Sequence, residues 1–460
     1  MPHGKIPVID QGQDYIGGFT DDDDSAFEGA LPVILFGDHT RSIKYVDKPF
    51  AVGAEGIKIL KPTEGFDPKY FFYLVRSLRI PSRGYSRHFQ FLKKFQMPLA
   101  PSDQQKRIVS EIEKQFSRLD EAVAALKRIK ANLKRYKAAV LKAAVEGKLT
   151  EEWRQNNLRR GEAVPRPHNN KNTGHDTERA THEDRAIHRI APTRGETGAD
   201  LLKRILAERK KKWEAEYIKK YVGAIHELPL QDDSWKKKYK EPSPPDTSNL
   251  PDLPKGWLWA TVEQLAAKIQ YGSSSKTNKD REGVPVIRMG NIFEGRLELD
   301  DLKYLPRNHS EFPELLLKKN DLLFNRTNSP ELVGKTAVYK GMPKPCSFAS
   351  YLIRVQFNDG ASSDFVSFCI NADYGRRWIK SVVSQQVGQA NVNGSKLQAL
   401  SVPLPPHVEQ QKIVEEVESC LSVAEEIEAT IETNLKRAER LRQAILKKAF
   451  SGTLNWTSLS

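Results

Sequence analysis

The chain has few cysteines, and their placement excludes two classes of small stabilised domain. Only Cys346, Cys369 and Cys420 occur in 460 residues, and none lies in a CxxC pair. A disulfide framework and a structural zinc site both need more thiols at closer spacing, so neither is expected. So little thiol chemistry is typical of a reducing compartment, and we predict a cytoplasmic location.

Long apolar runs are also missing. No segment approaches the roughly 20 consecutive apolar residues of a membrane-spanning helix. The N-terminal sequence MPHGKIPVIDQGQDYIGG has no basic segment followed by an apolar one. The sequence therefore predicts neither a transmembrane helix nor a signal peptide.

Catalytic motifs are scarce as well. The sequence contains no GxxxxGK[ST] phosphate loop, no HExxH pair, no glycine-rich dinucleotide loop and no N-P-P-[FYW] motif of amino-methyltransferases. The acidic run Asp21–Asp24 lies between Thr20 and Ser25, which favours a solvated loop over a metal site. We therefore predict a protein that is not an enzyme, with no metal site.

Positive charge is what the chain has in excess. Lys and Arg number 73 against 59 Asp and Glu, which gives a net charge of +14. Such an excess favours a polyanionic partner, nucleic acid before an anionic membrane surface. The charge is uneven, because residues 98–150 carry 12 basic and 6 acidic residues whereas residues 403–455 carry 7 and 9.

An internal repeat organises the chain. Residues 98–150 (PLAPSDQQKRIVSEIE…LKAAVEGKLT) align without a gap on residues 403–455 (PLPPHVEQQKIVEEVE…LKKAFSGTLN), at a constant offset of 305. Apolar residues at alternating steps of four and three predict one long helix with a heptad seam in each copy, at about 102–146 and 407–451. Prolines before each copy and Gly147 or Gly452 after it mark the helix ends.

A long helix with a narrow apolar stripe needs a partner helix, and the other copy is the obvious one. The opposite charge balances of the two copies favour this pairing. The alternative is that each helix packs on its own globular domain. The residues predicted to pair the helices are Ile112, Phe116, Leu119, Val123, Leu126, Leu133 and Val140 in the first copy, and Val417, Leu421, Ile431, Leu435, Leu441 and Ile445 in the second.

Each long helix follows a segment of short β-branched runs and one helical patch. We therefore predict an α+β protein: two mixed α/β domains at 1–97 and 253–402, separated by a long antiparallel two-helix coiled coil at 98–150 and 403–455, with a pseudo-two-fold repeat. Residues 151–252 are predicted to form a polar linker, disordered over 154–200, with a short basic helix near 201–221. This linker is either a passive tether, which its weak net charge favours, or a basic arm that holds DNA.

Polar and basic loops in the two domains supply candidate DNA contacts. Basic and amide side chains suit phosphates and base edges, and aromatic rings pack on sugars and bases. The alternatives are a turn that covers the core near 84–95 and a polar surface turn near 384–398. The candidates are Arg41, Tyr85, Arg87 and His88 in the first domain, and Ser274, Lys276, Arg288, Asn291, Arg326, Asn328, Gln386, Asn391 and Asn393 in the second.

Together these parts resemble the specificity (S) subunits of type I restriction-modification systems. The repeat resembles the spacer helices of that family. LPKGWLWATVEQLA (253–266), VPVIRMGNI (284–292) and NDLLFNRTNSPELVGKTAVY (320–339) resemble its target recognition domains, as does LPVILFGDHTRSIKYVDKPFAVGAEGIKILKP followed by GYSRHF. One departure is that an opening strand and loop equivalent to 253–280 are missing before Ile6, which predicts an N-terminally truncated first domain with an exposed edge.

The resemblance implies a non-catalytic subunit that binds double-stranded DNA and reads a bipartite, asymmetric target. It also implies two docked modification (M) subunits that methylate adenine, and restriction (R) subunits that cleave DNA. S-adenosylmethionine, ATP and Mg²⁺ would be held by those partners, and this chain would bind no cofactor. Two rivals stay open: a coiled-coil scaffold that binds only protein, and an autonomous methyltransferase, against which the missing cofactor loop argues.

Overall fold

The order of elements along the chain repeats: short strands, then a helix, then a long helix. The computed structural model describes residues 3–53, 56–81, 84, 86–160, 196–222, 233–386 and 389–451. The chain divides into two units, unit 1 with residues 1–132 and 426–460, and unit 2 with residues 133–425. The predicted mixture of helix and sheet is confirmed.

Unit 1 is built around a small sheet whose central strand is fully buried. Its elements are β1 (Ile6–Ile9), β2 (Gly18–Thr20), β3 (Val33–Gly37), β4 (Ile43–Val46), β5 (Ala51–Val52), β6 (Ile57–Leu60), α1 (Pro68–Ser77), α2 (Phe89–Leu92) and the first part of α3 (Ser102–Val145), together with the last part of the second long helix. β3 lies between β4 and β6, and β1 lies between β2 and β5. Alternate residues of β3 enter two apolar clusters, one with Ile9 and Phe50 and the other with Val75 and Leu92, which explains its continuous apolar sequence.

Unit 2 repeats this order with more strands. Its four-stranded sheet has the order β15 (Thr336–Val338), β13 (Leu322–Asn325), β17 (Leu352–Phe357) and β8 (Ala266–Tyr271), and β20 (Ser401–Leu404) pairs with β7 (Leu258–Thr261). A 3₁₀ turn also covers Asp233–Lys238. Its elements are the end of α3, α4 (Glu151–Arg160), α5 (Gly198–Val222), β7 (Leu258–Thr261), α6 (Val262–Leu265), β8 (Ala266–Tyr271), β9 (Val284–Ile287), β10 (Ile292–Phe293), β11 (Arg296–Leu297), β12 (Lys303–Leu305), β13 (Leu322–Asn325), β14 (Thr327–Asn328), β15 (Thr336–Val338), β16 (Ser347–Phe348), β17 (Leu352–Phe357), α7 (Ser363–Asn371), α8 (Asp373–Val382), β18 (Ser384–Gln386), β19 (Gln389–Asn391), α9 (Gly394–Gln398), β20 (Ser401–Leu404) and the first part of α10 (His407–Phe450).

Two strands of unit 2 have no counterpart among the described residues of unit 1. β8 pairs with β17, whereas β6 of unit 1 pairs with β3 alone in the described part of its sheet. β7 covers Leu404, which is 1% exposed, while Leu99 at the equivalent repeat position is 56% exposed. Leu99 therefore lacks, among the described residues, a strand like the one that covers Leu404.

A buried glutamine joins the long helix of unit 1 to the mixed α/β domain that precedes it. Gln105 Oε1 accepts the Asp67 N–H at 2.7 Å, and Gln105 Nε2 donates to Gly65 O at 2.8 Å and to Ala100 O at 2.7 Å. Asp67 is the N-cap of α1. One amide thus connects the start of α3, the turn before it and the N-terminus of α1.

Unit 2 contains the same arrangement at the position 305 residues later. Gln410 Oε1 accepts the Ser362 N–H at 2.8 Å, and its Nε2 donates to Gly360 O at 3.1 Å and Pro405 O at 3.0 Å. Ser362 is the N-cap of α7. The duplication read from the sequence therefore extends to individual hydrogen bonds.

Gln410→Ala should lower the free energy of unfolding of unit 2 by about 2–3 kcal/mol, because it leaves the Ser362 N–H and Pro405 O without their partner and removes one of the two donors to Gly360 O. Urea denaturation of the full chain measures this. Gln411→Ala is the matched control, since that neighbouring side chain is exposed and its loss should cost less than about 0.5 kcal/mol. Equal stability of the two variants would contradict the role given to Gln410.

Within unit 1, the first part of α3 and the last part of α10 run antiparallel against each other. Asp120 bonds to Arg442 and Lys130 bonds to Glu432, so ten residues forward on α3 match ten residues backward on α10. The hydrogen bond between Lys130 and Glu432 raises the pKa of the lysine and lowers the pKa of the glutamate. In unit 2, the end of α3 and the start of α10 contribute to one apolar core.

Most predicted seam residues lie inward, but Leu441 does not. Ile112, Phe116, Leu133, Val140, Val417, Ile431 and Ile445 are buried, and Leu119, Val123, Leu126, Leu421 and Leu435 are half-buried. The prediction for Leu441 is wrong, because its side chain is 49% exposed. The heptad continues through Ala438 and Arg442, and the Arg442 guanidinium lies 4.7 Å from the ring centroid of Phe116.

The segment predicted as a linker is more ordered than its composition indicates. α4 covers the start of the stretch predicted to be disordered, and α5 covers the short helix predicted near 201–221. Leu201 and Ile205, four residues apart on one helix face, are fully buried in the core of unit 2. The prediction that all of 151–252 forms a linker is therefore wrong for α5, which packs into the core of unit 2. Residues 161–195 and 223–232 lie outside the described residues.

Candidate DNA interface

Many of the candidate residues of unit 2 line one open groove. Its volume is about 760 Å³, and it is bordered by residues 273–277, 288–291 and 349–351. Acidic residues Glu298, Asp300 and Asp301 lie along it as well. The candidates that the structure brings together here are Ser274, Lys276, Arg288, Asn291 and Asn328.

The groove forms where three loops that adjoin strands meet. The Ser273 N–H donates to Phe348 O at 2.9 Å, and the Ser350 N–H donates to Ser273 O at 2.8 Å. The Ala349 N–H donates to Ile287 O at 2.9 Å. Because backbone hydrogen bonds fix these loops to one another, the exposed residues Ser274 and Lys276 lie at fixed positions on the rim of the groove.

Arg288 and Asn291 have different roles in the groove. Arg288 Nη2 donates to a carboxylate oxygen of Asp301 at 2.9 Å, while Arg288 Nε is buried without a hydrogen-bond partner in the described part of the chain. Asn291 is 4% exposed, accepts the Arg288 N–H at 2.9 Å and donates to Glu298 O at 2.9 Å. The DNA contact predicted for Asn291 is therefore wrong, since its amide is used inside the fold to shape the groove wall.

A second group of candidates surrounds Arg326. Its guanidinium lies 4.9 Å from the ring centroid of Tyr271, whose hydroxyl accepts the Gly394 N–H at 2.8 Å. The Arg326 backbone is fixed on both sides, by an N–H bond to Tyr351 O at 3.0 Å and by the Val392 N–H at 2.9 Å. Arg326 Nε is buried without a hydrogen-bond partner among the residues described. The side chain is thus positioned on an aromatic ring with donor capacity left over.

The amide candidates lie beside Arg326 on the sheet of β14, β19 and β18. Asn391 Nδ2 donates to Thr327 Oγ1 at 2.8 Å. Asn393 caps α9, and its Oδ1 accepts the Lys396 N–H at 2.9 Å. Gln386 belongs to β18, and its side chain lies outside what the structure describes. The base contacts predicted for these amides stay predictions.

In unit 1, His88 is a structural residue, and its predicted DNA contact is wrong. It is 1% exposed, and its Nδ1 lies 2.9 Å from Asp38 O, which also accepts the His88 N–H at 2.8 Å. The Phe89 N–H donates to Asp38 Oδ1 at 2.7 Å. These bonds hold the turn after β3 against the loop before α2, so Arg41 and Arg87 are exposed on two loops that are joined.

Arg41 occupies an unusual backbone conformation. Its φ of 61° lies in the left-handed region, which side chains other than glycine seldom adopt. Arg41 Nη1 donates to Ile80 O at 3.1 Å. The remaining candidate, Tyr85, lies outside the described residues.

Two residues that position the candidates were missed in the sequence. Asp38 fixes both loops of unit 1, and Tyr271 supports Arg326. The signal for Tyr271 is its place at the end of β8, directly before the polar loop GSSSK. The signal for Asp38 is the turn sequence GDHT, because Asp commonly bonds to nearby backbone N–H groups in turns.

The described residues contain neither a metal-binding cluster nor a membrane-spanning helix. No group of three or more His, Cys, Asp and Glu side chains converges there to hold a metal ion. None of the helices within the described ranges is long and apolar enough to cross a membrane.

The segment that contains the groove resembles a known domain. Residues 254–437 match the type I restriction modification DNA specificity domain. The match covers less than half of the chain. The candidate residues from Ser274 to Asn393 all lie within the specificity domain, as does most of α10.

Curated relatives of the chain are specificity subunits, so the predicted resemblance is confirmed. One is the type I restriction enzyme EcoKI specificity subunit of Escherichia coli (strain K12), 30% identical over 194 residues, which are 42% of this chain and 42% of that protein. Another is the putative type I restriction enzyme MjaX specificity subunit of Methanocaldococcus jannaschii, 25% identical over 46% of this chain and 49% of that protein. The chain thus spans about half the length of the curated relatives it matches.

A solved structure shares the fold. It comes from work on complex assembly and conformational transition of the type I R-M system, and it covers 98% of this chain and 92% of its own with a TM-score of 0.53. The sequence identity is 15%, so this likeness concerns the fold alone.

Proposed function

We propose that this chain is the DNA-reading specificity subunit of a type I restriction-modification complex. The observation that carries the proposal is the groove of residues 273–277, 288–291 and 349–351, which gathers independently predicted contacts within the specificity domain. Arginine and lysine suit guanine edges and phosphates, and the groove carboxylates suit the amino group of cytosine.

The target is bipartite and asymmetric in this proposal. The support is the duplication, which includes the equivalent bonds of Gln105 and Gln410, and the different loops that each unit presents. The two long helices pair antiparallel and separate the two recognition domains, so their length sets the spacing between half-sites. The antiparallel contacts of α3 and α10 within unit 1 support this part.

The partners follow from the same proposal. Two M subunits dock on the complex and methylate adenine with S-adenosylmethionine, and R subunits use ATP and Mg²⁺ to cleave DNA. This chain itself is non-catalytic, binds no cofactor and acts in the cytoplasm. Its part is to bind and orient double-stranded DNA for those subunits.

The test is DNA binding by the full chain assembled with the M subunits of its own system. The motif duplex carries the sequence that the complex methylates in the host genome. Fluorescence anisotropy should show tighter binding to this duplex than to a duplex of random sequence, and both affinities should fall as the salt concentration rises. A coiled-coil scaffold without DNA specificity predicts equal affinity of the complex for both duplexes. That result would reject the proposal in favour of the rival.

Arg87→Ala should relax recognition of one half-site and leave the other half intact. The exposed arginine on the loop held by His88 would lose an interaction worth about 1–3 kcal/mol if it reads a base. Competition binding with duplexes altered in one half-site at a time measures this. Arg107→Ala, which removes an exposed arginine of α3, is the control. Unchanged discrimination at both half-sites removes Arg87 from the interface.

A further inference from the structure

A strongly basic surface lies on the second half of α5 and the segment that follows it, which contribute no residue to the groove. It consists of residues 209–220 and 235–241, called here the basic clasp. Carboxylates are fewer in it, namely Glu214, Glu216 and Glu241. The exposed lysines of the clasp are Lys210, Lys211, Lys212, Lys219, Lys220, Lys236, Lys237, Lys238 and Lys240.

The clasp is anchored to the core of unit 2. The first turns of α5 bury Leu201 and Ile205 completely. Farther along the helix, Arg209 Nη1 donates to Glu263 O at 2.5 Å and Ala266 O at 2.6 Å, at the C-terminal end of α6. These contacts are those of a fixed element, which argues against a passive tether for this part of the chain.

Four aromatic rings join the two basic runs of the clasp. Trp213 lies 6.0 Å from Trp235 and 5.2 Å from Tyr239, measured between ring centroids. Tyr217 stacks on Trp235 at 5.2 Å with an interplanar angle of 11°. Stacked rings bury large apolar area, so the segment after Asp233 is held against the second half of α5.

Lysines from both runs lie over these rings. The Lys210 ammonium is 5.8 Å from the Tyr239 ring centroid, Lys236 is 5.8 Å from Trp235, and Lys238 is 5.6 Å from Tyr217. Cation–π contacts place these ammonium groups against the rings, while the lysine side chains as a whole stay exposed to solvent. Residues far apart in sequence therefore form one continuous positive surface.

We propose that the basic clasp binds phosphates of double-stranded DNA outside the bases that are read. Lysine ammonium groups are compact point charges that contact phosphates without reading sequence. The clasp therefore adds affinity but no specificity. The proposal deepens the proposed function and rests on it for the presence of DNA.

The test uses the triple variant Lys236→Gln, Lys237→Gln, Lys238→Gln in the full chain assembled with its M subunits. The probe is a random-sequence duplex of about four helical turns, roughly 40 base pairs. Affinity should fall about tenfold or more, and the slope of log affinity against log salt should decrease by up to about 3, near 0.9 for each phosphate that the complex no longer neutralises. The ratio of motif to random affinity should stay unchanged.

Two further variants keep the result interpretable. Lys211→Gln, Lys212→Gln, Lys219→Gln should have the same effect without touching the lysines that lie over the rings. Lys318→Gln, Lys319→Gln, Lys344→Gln removes the same charge from exposed lysines elsewhere in unit 2 and should change the slope little.

An unchanged salt slope in both clasp variants would overturn the proposal and leave an acidic protein surface as the partner. A slope that falls equally in the Lys318, Lys319 and Lys344 variant would also overturn it, because the effect would then be one of total charge. Failure of the proposed function is distinguishable, since the unmodified complex would then not prefer the motif over random DNA.

Discussion

Glu409→Ala should lower the free energy of unfolding of unit 2 by about 3–5 kcal/mol, because it leaves the Arg154 guanidinium, whose side chain is only 14% exposed, without its counter-charge. Glu409 is 2% exposed. Its Oε1 accepts from Thr150 Oγ1 and from Arg154 Nε, each at 2.8 Å, and its Oε2 accepts from Trp257 Nε1 at 2.8 Å.

The hydrogen bonds of Glu409 to Thr150, Arg154 and Trp257 form one network, called here the Glu409 network. This network explains why the loss of stability in Glu409→Ala should exceed that of other single changes. It connects three parts of unit 2: the end of the first repeat with the start of α4, the start of the second α/β domain and the start of α10. The equivalent residue of the first repeat, Gln104, is exposed. The network therefore belongs to unit 2 and is not a general property of the repeat.

Chemical denaturation followed by the fluorescence of Trp257 and the other tryptophans measures the Glu409 effect. Glu415→Ala is the matched control, because this glutamate of the same helix is 71% exposed and should cost less than about 0.5 kcal/mol. Glu409→Gln keeps an acceptor oxygen, so its loss of unfolding free energy should lie between the losses of Glu409→Ala and Glu415→Ala. A loss below about 1 kcal/mol for Glu409→Ala would show that the network is dispensable.

Arg326→Ala should reduce binding to the motif duplex by about 5- to 150-fold, the 1–3 kcal/mol of one good bidentate base contact, with little change on random DNA. The reason is that the Arg326 side chain is already held in place for such a contact. The guanidinium rests on Tyr271, its backbone is held by Tyr351 and Val392, and its Nε is buried without a hydrogen-bond partner in the described chain.

The charge and the geometry of Arg326 are separable. Arg326→Lys keeps the charge but not the planar pair of donors, so it should lose most of the discrimination. Arg377→Ala removes an equal charge from a side chain that is 72% exposed on α8, and it should leave the ratio of motif to random affinity unchanged. If Arg326→Ala lowers both affinities equally, Arg326 contacts phosphate and reads no base.

The long helices were accessible from sequence because their signals are local and redundant. Heptad spacing, prolines before the start and Gly147 near the end agree, and α3 and α10 begin where the pattern begins. Leu441 shows the limit. An apolar residue one position before Arg442 looks like a seam residue, but the register places the arginine inward over Phe116.

The candidate site was less predictable, because the same polar side chain suits both DNA and the interior. His88 and Asn291 had the chemistry of DNA contacts, yet each one satisfies backbone groups that come from other parts of the chain. Whether such a side chain faces DNA or the interior depends on the backbone groups that the tertiary fold brings next to it. The groove itself depends on loops about 75 residues apart in sequence, 273–277 and 349–351, which no local pattern connects.

The most direct test of the central claim is a map of methylated adenines in the host genome, with and without the gene for this chain. The account predicts a split motif with two unlike half-sites at a fixed spacing, methylated in the presence of the gene and unmethylated after its deletion. Methylation that is unchanged by the deletion, or the absence of any split motif while the chain and its M subunits are produced, would contradict it.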